Sequence, residues 1–154
     1  MSDHAARISW HFTGESFLKG YSREHSWTFD GGAVVPASPA PVNVPAPWSN
    51  PAAVDPEEAF VASISSCHML TFLWLAYQRG FEVLSYVDDA VGTMTPNEHG
   101  VPWVSHVVLR PAILYGSASP NLEQEAELHH LAHTQCFIAN SVKTEISVSS
   151  QLTR

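Results

Sequence analysis

The sequence predicts an α+β protein, and three observations carry that reading. Segments in which apolar and polar residues alternate, as in half-buried strands, fall at 8–35, 82–113 and 142–148. Two segments that begin with helix-start residues, 56–79 and 120–136, lie between them. Seven of the eleven prolines fall in the 21 residues from Pro36 to Pro56, so an extended connection over 36–55 separates the first strands from the first helix. A chain of 154 residues buries roughly 68–70% of the surface its unfolded form exposes. One domain over 1–154 with a real core is therefore expected, without disulfide staples or structural metals.

Each element has a local reason. Ile8-Ser-Trp-His-Phe12 alternates as a strand, and Glu24 to Phe29 followed by Asp30-Gly31-Gly32 and Ala33-Val-Val35 reads as a hairpin. The Asp-Gly pair is expected to supply the positive φ of its turn. Asp55-Pro56-Glu57-Glu58 is a helix start, with Asp55 as N-cap, Pro56 at the first helical position and Glu58 completing a capping box. Gly80 stops that helix after Arg79. Met69, Leu70, Phe72, Leu73, Trp74 and Leu75 point in nearly every direction around it. A helix apolar all round is buried all round, and so short a chain needs a second subunit to cover it.

Residues 82–94 and 101–113 read as two long antiparallel strands joined by Pro96-Asn-Glu-His-Gly100. Trp103, Val107 and Leu109 form the core face of the second, against Val104, His106, Val108 and Arg110 on the other. Ser119-Pro120 opens the second helix, with Pro120 at its first position and its end near Cys136. A last strand runs from Val142 to Val148.

Seven Lys+Arg against fifteen Asp+Glu leave a net charge of −8, which disfavours nucleic acid and anionic membrane surfaces as partners. Met1 to Arg7 lacks the basic and apolar pattern of a secretory signal, and no run is expected to reach the roughly 18 apolar residues of a membrane span. A soluble cytoplasmic protein is expected. Cysteines stay reduced there, so Cys67 and Cys136, 69 positions apart, call for packing, metal binding or reaction chemistry. Cys67 shares a helical stripe with Phe60, Ser63, Thr71 and Trp74; Cys136 follows His129 and His133 at i−7 and i−3. As small core hydrophobes both would be unremarkable, but each has polar neighbours on its own face.

The run Asp55-Pro-Glu-Glu-Ala-Phe-Val-Ala-Ser-Ile-Ser-Ser-Cys67-His-Met-Leu70 resembles the first-cysteine signature of the OsmC/Ohr family, the osmotically induced and organic-hydroperoxide-resistance proteins. Ala132-His-Thr-Gln-Cys136-Phe-Ile-Ala-Asn-Ser141 resembles the second. Both occur in the family's order, and the resemblance extends from about residue 20 onward. It implies an OsmC-like fold, with antiparallel sheets around two central helices in an intertwined homodimer. It also implies a thiol peroxidase acting on organic hydroperoxides. Cys67 would attack the peroxide and become a sulfenic acid. Cys136 would resolve that acid as a disulfide, which an external dithiol, in the family a lipoylated protein, reduces again. No bound cofactor and no metal are implied. The family's thiolate is served by an arginine from the N-terminal β region held by the glutamate after the motif proline; here Arg23 and Glu57 fit those places. Ten residues of helix put Glu57 about 15 Å from Cys67, so an arginine reaching across or a partner chain has to complete the site. Phe137 follows Cys136 where the family usually has proline, and His68 follows Cys67, which marks a divergent branch.

Two other readings stand beside this one. Nine histidines in the chain, with His129, His133 and Cys136 at helical spacing and Cys67 or His68 near, suit zinc or another soft metal. Phe60, Trp74 and Trp103 suit an apolar cavity for a lipid-like ligand. Arg7, Arg79 and Arg110 are alternatives to Arg23 as the cation.

Overall fold

The computed structural model describes residues 1–149, and residues 150–154, the end of the expected 1–154 domain, lie outside the described residues. The chain divides into two compact units, Met1–Ala59 and Phe60–Arg154.

The first unit is a three-stranded antiparallel sheet, β1 (Ala6–Ser9), β2 (His25–Phe29) and β3 (Val34–Ala37), in the order β1-β2-β3. The first strand ends earlier than alternation predicts. Trp10 and Phe12 leave the sheet and pack edge-on with Phe17 and Tyr21, and the Trp10 indole N–H donates to the Ser22 carbonyl at 2.8 Å. The β2–β3 hairpin forms as expected, but the positive φ of its turn falls on Gly32, at 84°, and not on the Asp30-Gly31 pair. Helix α1 (Pro56–Gln78) begins with the expected capping box: the Glu58 amide donates to Asp55 at 2.7 Å and the Asp55 amide to Glu58 at 3.2 Å.

In the second unit α1 ends at Gly80, whose φ of 75° only glycine adopts freely, and the Phe81 amide bonds back to the Ala76 carbonyl. Each long strand expected over 82–113 is broken in two. β4 (Val83–Asp88) pairs with β7 (Pro111–Tyr115), while β5 (Val91–Pro96) pairs with β6 (Pro102–Leu109) in a separate sheet. The break has one cause on both strands. The Asp88 carboxylate accepts the Arg110 amide at 2.6 Å, taking that donor out of the ladder, and also accepts the Ser65 hydroxyl from α1.

A bulge at Ser105 reverses the phase of β6, because Thr93 faces His106 while Met94 faces Val104. Val104 therefore packs on the core beside Val107 and Leu109, in the place expected of Trp103. The last strand, β8 (Glu145–Val148), is shorter than expected and lies parallel to β6, so this sheet is mixed. Helix α2 (Leu122–Gln135) starts two residues after Pro120, because the Asn121 side chain caps it in a reciprocal box with Gln124. Cys136 is the residue after its last turn.

Helix α1 buries one stripe, Ile64, His68, Phe72, Leu75 and Ala76. Its upper part packs with Ile113, Leu128 and Ala132, and its lower part with Val107 and Leu109. Leu70, Trp74 and Tyr77 stay exposed, so the chain alone does not bury the helix all round. Contrary to the sequence expectation, α1 is long and apolar enough to cross a membrane by length and composition. Its buried stripe belongs instead to the core of this unit.

Candidate functional site: two thiols and a histidine pair

Cys67 sits in the fourth turn of α1 and is half-buried, whereas Cys136 is 1% exposed beyond the end of α2. Although 69 residues separate them, the two free thiols are neighbours, and Cys67 is among the groups that act on Cys136. Burial pushes the Cys136 thiol up, and the neighbouring Cys67 adds to this. The Ala139 amide, donating to Cys136 Sγ at 3.3 Å, acts the other way. A 3₁₀ turn at Ala139–Ser141 builds this cradle, and Asn140 locks it by donating its side-chain amide to the carbonyls of Thr134 and Cys136, both at 2.9 Å.

The polar neighbours expected around Cys67 turn away from it. Ser63 and Thr71 donate their hydroxyls to the helix carbonyls of Phe60, at 2.7 Å, and Cys67, at 2.9 Å. His68, the residue after Cys67 in the sequence, meets His129 in a hydrogen-bonded pair, two histidines that the sequence reading grouped only as possible metal ligands. His68 and His129, 1% and 6% exposed, meet through Nε2 and Nδ1 at 3.0 Å. Their rings stack with centroids 5.3 Å apart and planes 11° from parallel, and Phe72 lies 4.5 Å from the His129 ring. Burial, then the charge of His133, pull His68 down to about 4, with Asp88 acting weakly in the other direction. Burial and then His68 bring His129 to about 4. Both imidazoles are neutral at pH 7.

Beyond the pair, Tyr115 donates to the buried Glu125 at 3.1 Å. Burial first, then Glu125, raises the Tyr115 hydroxyl; burial first, then Asp88, raises that of Tyr86. Among the described residues, His129 Nε2 and the Tyr86 hydroxyl have no hydrogen-bond partner. The signal for this polar core was present in the sequence as histidines at core register: His68 between Ile64 and Phe72, and His129 between Glu125 and Ala132.

Arg23 and Glu57 belong to the first unit. Arg23 is exposed, with its guanidinium 5.5 Å from the centre of the Tyr21 ring and its amide bonded to the Trp48 carbonyl. Glu57 lies in the first turn of α1, and the two side chains make no ion pair with each other. Of the alternative cations, Arg79 pairs with Glu127 at 2.8 Å, Arg110 uses its backbone on Asp88, and Arg7 sits on β1.

Among the described residues no three His, Cys, Asp or Glu side chains are gathered where they could hold a metal ion, so His129, His133 and Cys136 do not form the ligand set that their spacing allows. Phe60 and Trp74 lie about 21 Å apart along α1, too far to line one small cavity. Phe60 packs against the β6 core, and Trp74 is exposed and stacked on Tyr77.

Comparison with known proteins finds a family model, described as OsmC-like protein, matching residues 49–151. No curated protein matches the chain. Among solved structures, an OsmC-like protein of unknown function from Vibrio cholerae is 49% identical, with a TM-score of 0.94, over 98% of this chain and 100% of that one. An organic hydroperoxide resistance protein from Legionella pneumophila shares the fold at 14% identity and a TM-score of 0.74, covering 99% and 98%. Another from Elizabethkingia anophelis does so at 16% and 0.72, covering 98% of each chain.

Proposed function

Because the chain belongs to the OsmC-like family and its two cysteines meet side by side, we propose that it is a two-cysteine peroxidase that reduces organic hydroperoxides to alcohols. The observation that carries this reading is the meeting of two free thiols across 69 residues of sequence, one half-buried and the other sealed beside it.

Cys67, the more accessible sulfur, attacks the hydroperoxide: the O–O bond breaks, the distal oxygen becomes Cys67 sulfenic acid, and the other oxygen leaves with a proton as the alcohol. Cys136 then attacks that sulfur. The S–S bond forms, the S–O bond breaks, and the leaving hydroxyl takes the Cys136 proton as water. The net change is one hydroperoxide and two thiols to one alcohol, one water and one disulfide. An external dithiol, such as a lipoylated protein, returns the disulfide to thiols in the cytoplasm.

Arg23, steadied by Glu57, supplies the cation beside the reacting sulfur, within a homodimer whose second subunit covers the exposed side of α1 around Leu70, Trp74 and Tyr77. The organic hydroperoxide resistance proteins that share this fold support the substrate class.

One equivalent of cumene hydroperoxide added to the reduced protein is expected to remove two titratable thiols. The Cys136→Ser variant is expected to hold a trappable sulfenic acid, and Cys67→Ser to lose no thiol. Wild-type protein that keeps both thiols would overturn the proposal.

A further inference from the structure

Two imidazoles in the middle of an apolar helix interface are an unfavourable way to fill space, because each loses water and gains only one hydrogen bond. Two leucines would occupy the same layer without that penalty. A polar pair does something an apolar pair does not: it fails if the helices slide, since a bond of 3.0 Å between stacked rings exists in one register only. The placement matters here. His68 is the residue after Cys67 on α1, and His129 stands about two turns before Cys136 on α2.

We propose that His68 and His129 are positioning residues, whose buried hydrogen bond locks α1 against α2 in the register that brings the Cys67 and Cys136 sulfurs together. This rests on the reading of those cysteines as a reacting pair. The bond needs one ring nitrogen as donor and the other as acceptor, so both rings have to be neutral. A proton added to the acceptor replaces the bond with two facing donors and puts a charge where no carboxylate receives it. The titratable groups that act on the pair are His133 on α2 and Asp88 on β4; Tyr115 on β7 donates to Glu125, one turn before His129 on α2, and Tyr86 on β4 packs on Phe72, whose ring meets His129. Glu125 is engaged by Tyr115, and Asp88 by Ser65 and the Arg110 amide.

The test uses disulfide closure by glutathione, in which oxidised glutathione plus the two protein thiols give the protein disulfide plus two reduced glutathiones. The equilibrium yields the effective concentration of one thiol toward the other. His129→Leu is expected to lower it at least about tenfold, while His129→Asn, whose amide occupies the place of Nδ1, stays within about threefold of wild type. A second reading needs no variant. Coupling between two sites is reciprocal, so if the bond favours the thiol contact, the disulfide favours the bond. Followed by NMR in wild-type protein, proton uptake by the two rings is expected to move at least about half a pH unit lower on oxidation. The same titration in both redox forms, or an unchanged effective concentration in folded His129→Leu, overturns the proposal. Glutathione closes the disulfide without hydroperoxide, so a protein that fails the peroxidase assay can still pass this test, and the reverse.

Discussion

Cys136 and Cys67 differ in what surrounds each sulfur. Cys136 is nearly sealed and its burial pushes its thiol up, which suits a thiol that waits until its neighbour is oxidised. Arg23→Ala is expected to slow peroxide-dependent oxidation of Cys67 by at least about tenfold, followed by stopped-flow tryptophan fluorescence. The histidine pair makes an independent statement about stability. Both rings titrate near 4 in the fold against 6.5 when free. Above pH 6.5 neither state is protonated and the fold keeps its full stability. Between 6.5 and 4 the unfolded chain takes up protons that the folded chain refuses, so stability falls through that window, by roughly 3 kcal/mol for the first ring. Urea midpoints measured from pH 7 to 4 are expected to drop in wild type and to flatten in His68→Gln. The cysteines were legible in the sequence because a motif runs along one stretch of chain. The histidine bond was not, because it joins positions 61 apart and depends on how two helices are rotated.

At the scale of elements, helix starts and stops followed from local chemistry. The Asp55–Glu58 box and the Gly80 stop are made within one turn of chain, so no distant residue is needed to form them. The strands over 82–113 behaved differently. Their alternation was visible, but the break at Asp88 and Arg110 and the bulge at Ser105 are set by a carboxylate and a register that only the folded sheet supplies. Asp88→Ala is expected to lose about 1–3 kcal/mol by stranding the Arg110 amide and the Ser65 hydroxyl, read as a shift in urea midpoint at constant slope. Gly92 on β5 lies under α1, where an added Cβ would come within 2.5 Å of Val61 Cγ2. Gly92→Ala is therefore expected to destabilise by about 1–3 kcal/mol although its φ is ordinary.

At the scale of the whole molecule, the exposed apolar side of α1 is an unfinished surface. Trp74 and Tyr77 stack on each other at 5.8 Å, 56% and 74% exposed, and Leu70 lies a turn away at 62%. If a second copy covers them, Trp74→Glu places a charge in that interface. Analytical ultracentrifugation is expected to find wild type as a dimer and the variant as a monomer, with dimer association weakened at least about a hundredfold. A monomeric wild type at micromolar concentration would remove the dimer from the proposed function.

What the sequence determined by itself was the set of elements and the identity of the two sulfurs, because caps, glycine stops, turn residues and motifs act over a few neighbouring residues. What only the tertiary structure decided was which groups those sulfurs meet. Cys136 reached Cys67, Ser63 and Thr71 turned back to their own helix, and two histidines from different helices closed on each other. Those choices turn on the rotation and register of α1 against α2, where the shared core around Phe72, Leu128 and Ala132 and the His68–His129 bond meet, and which no local pattern encodes.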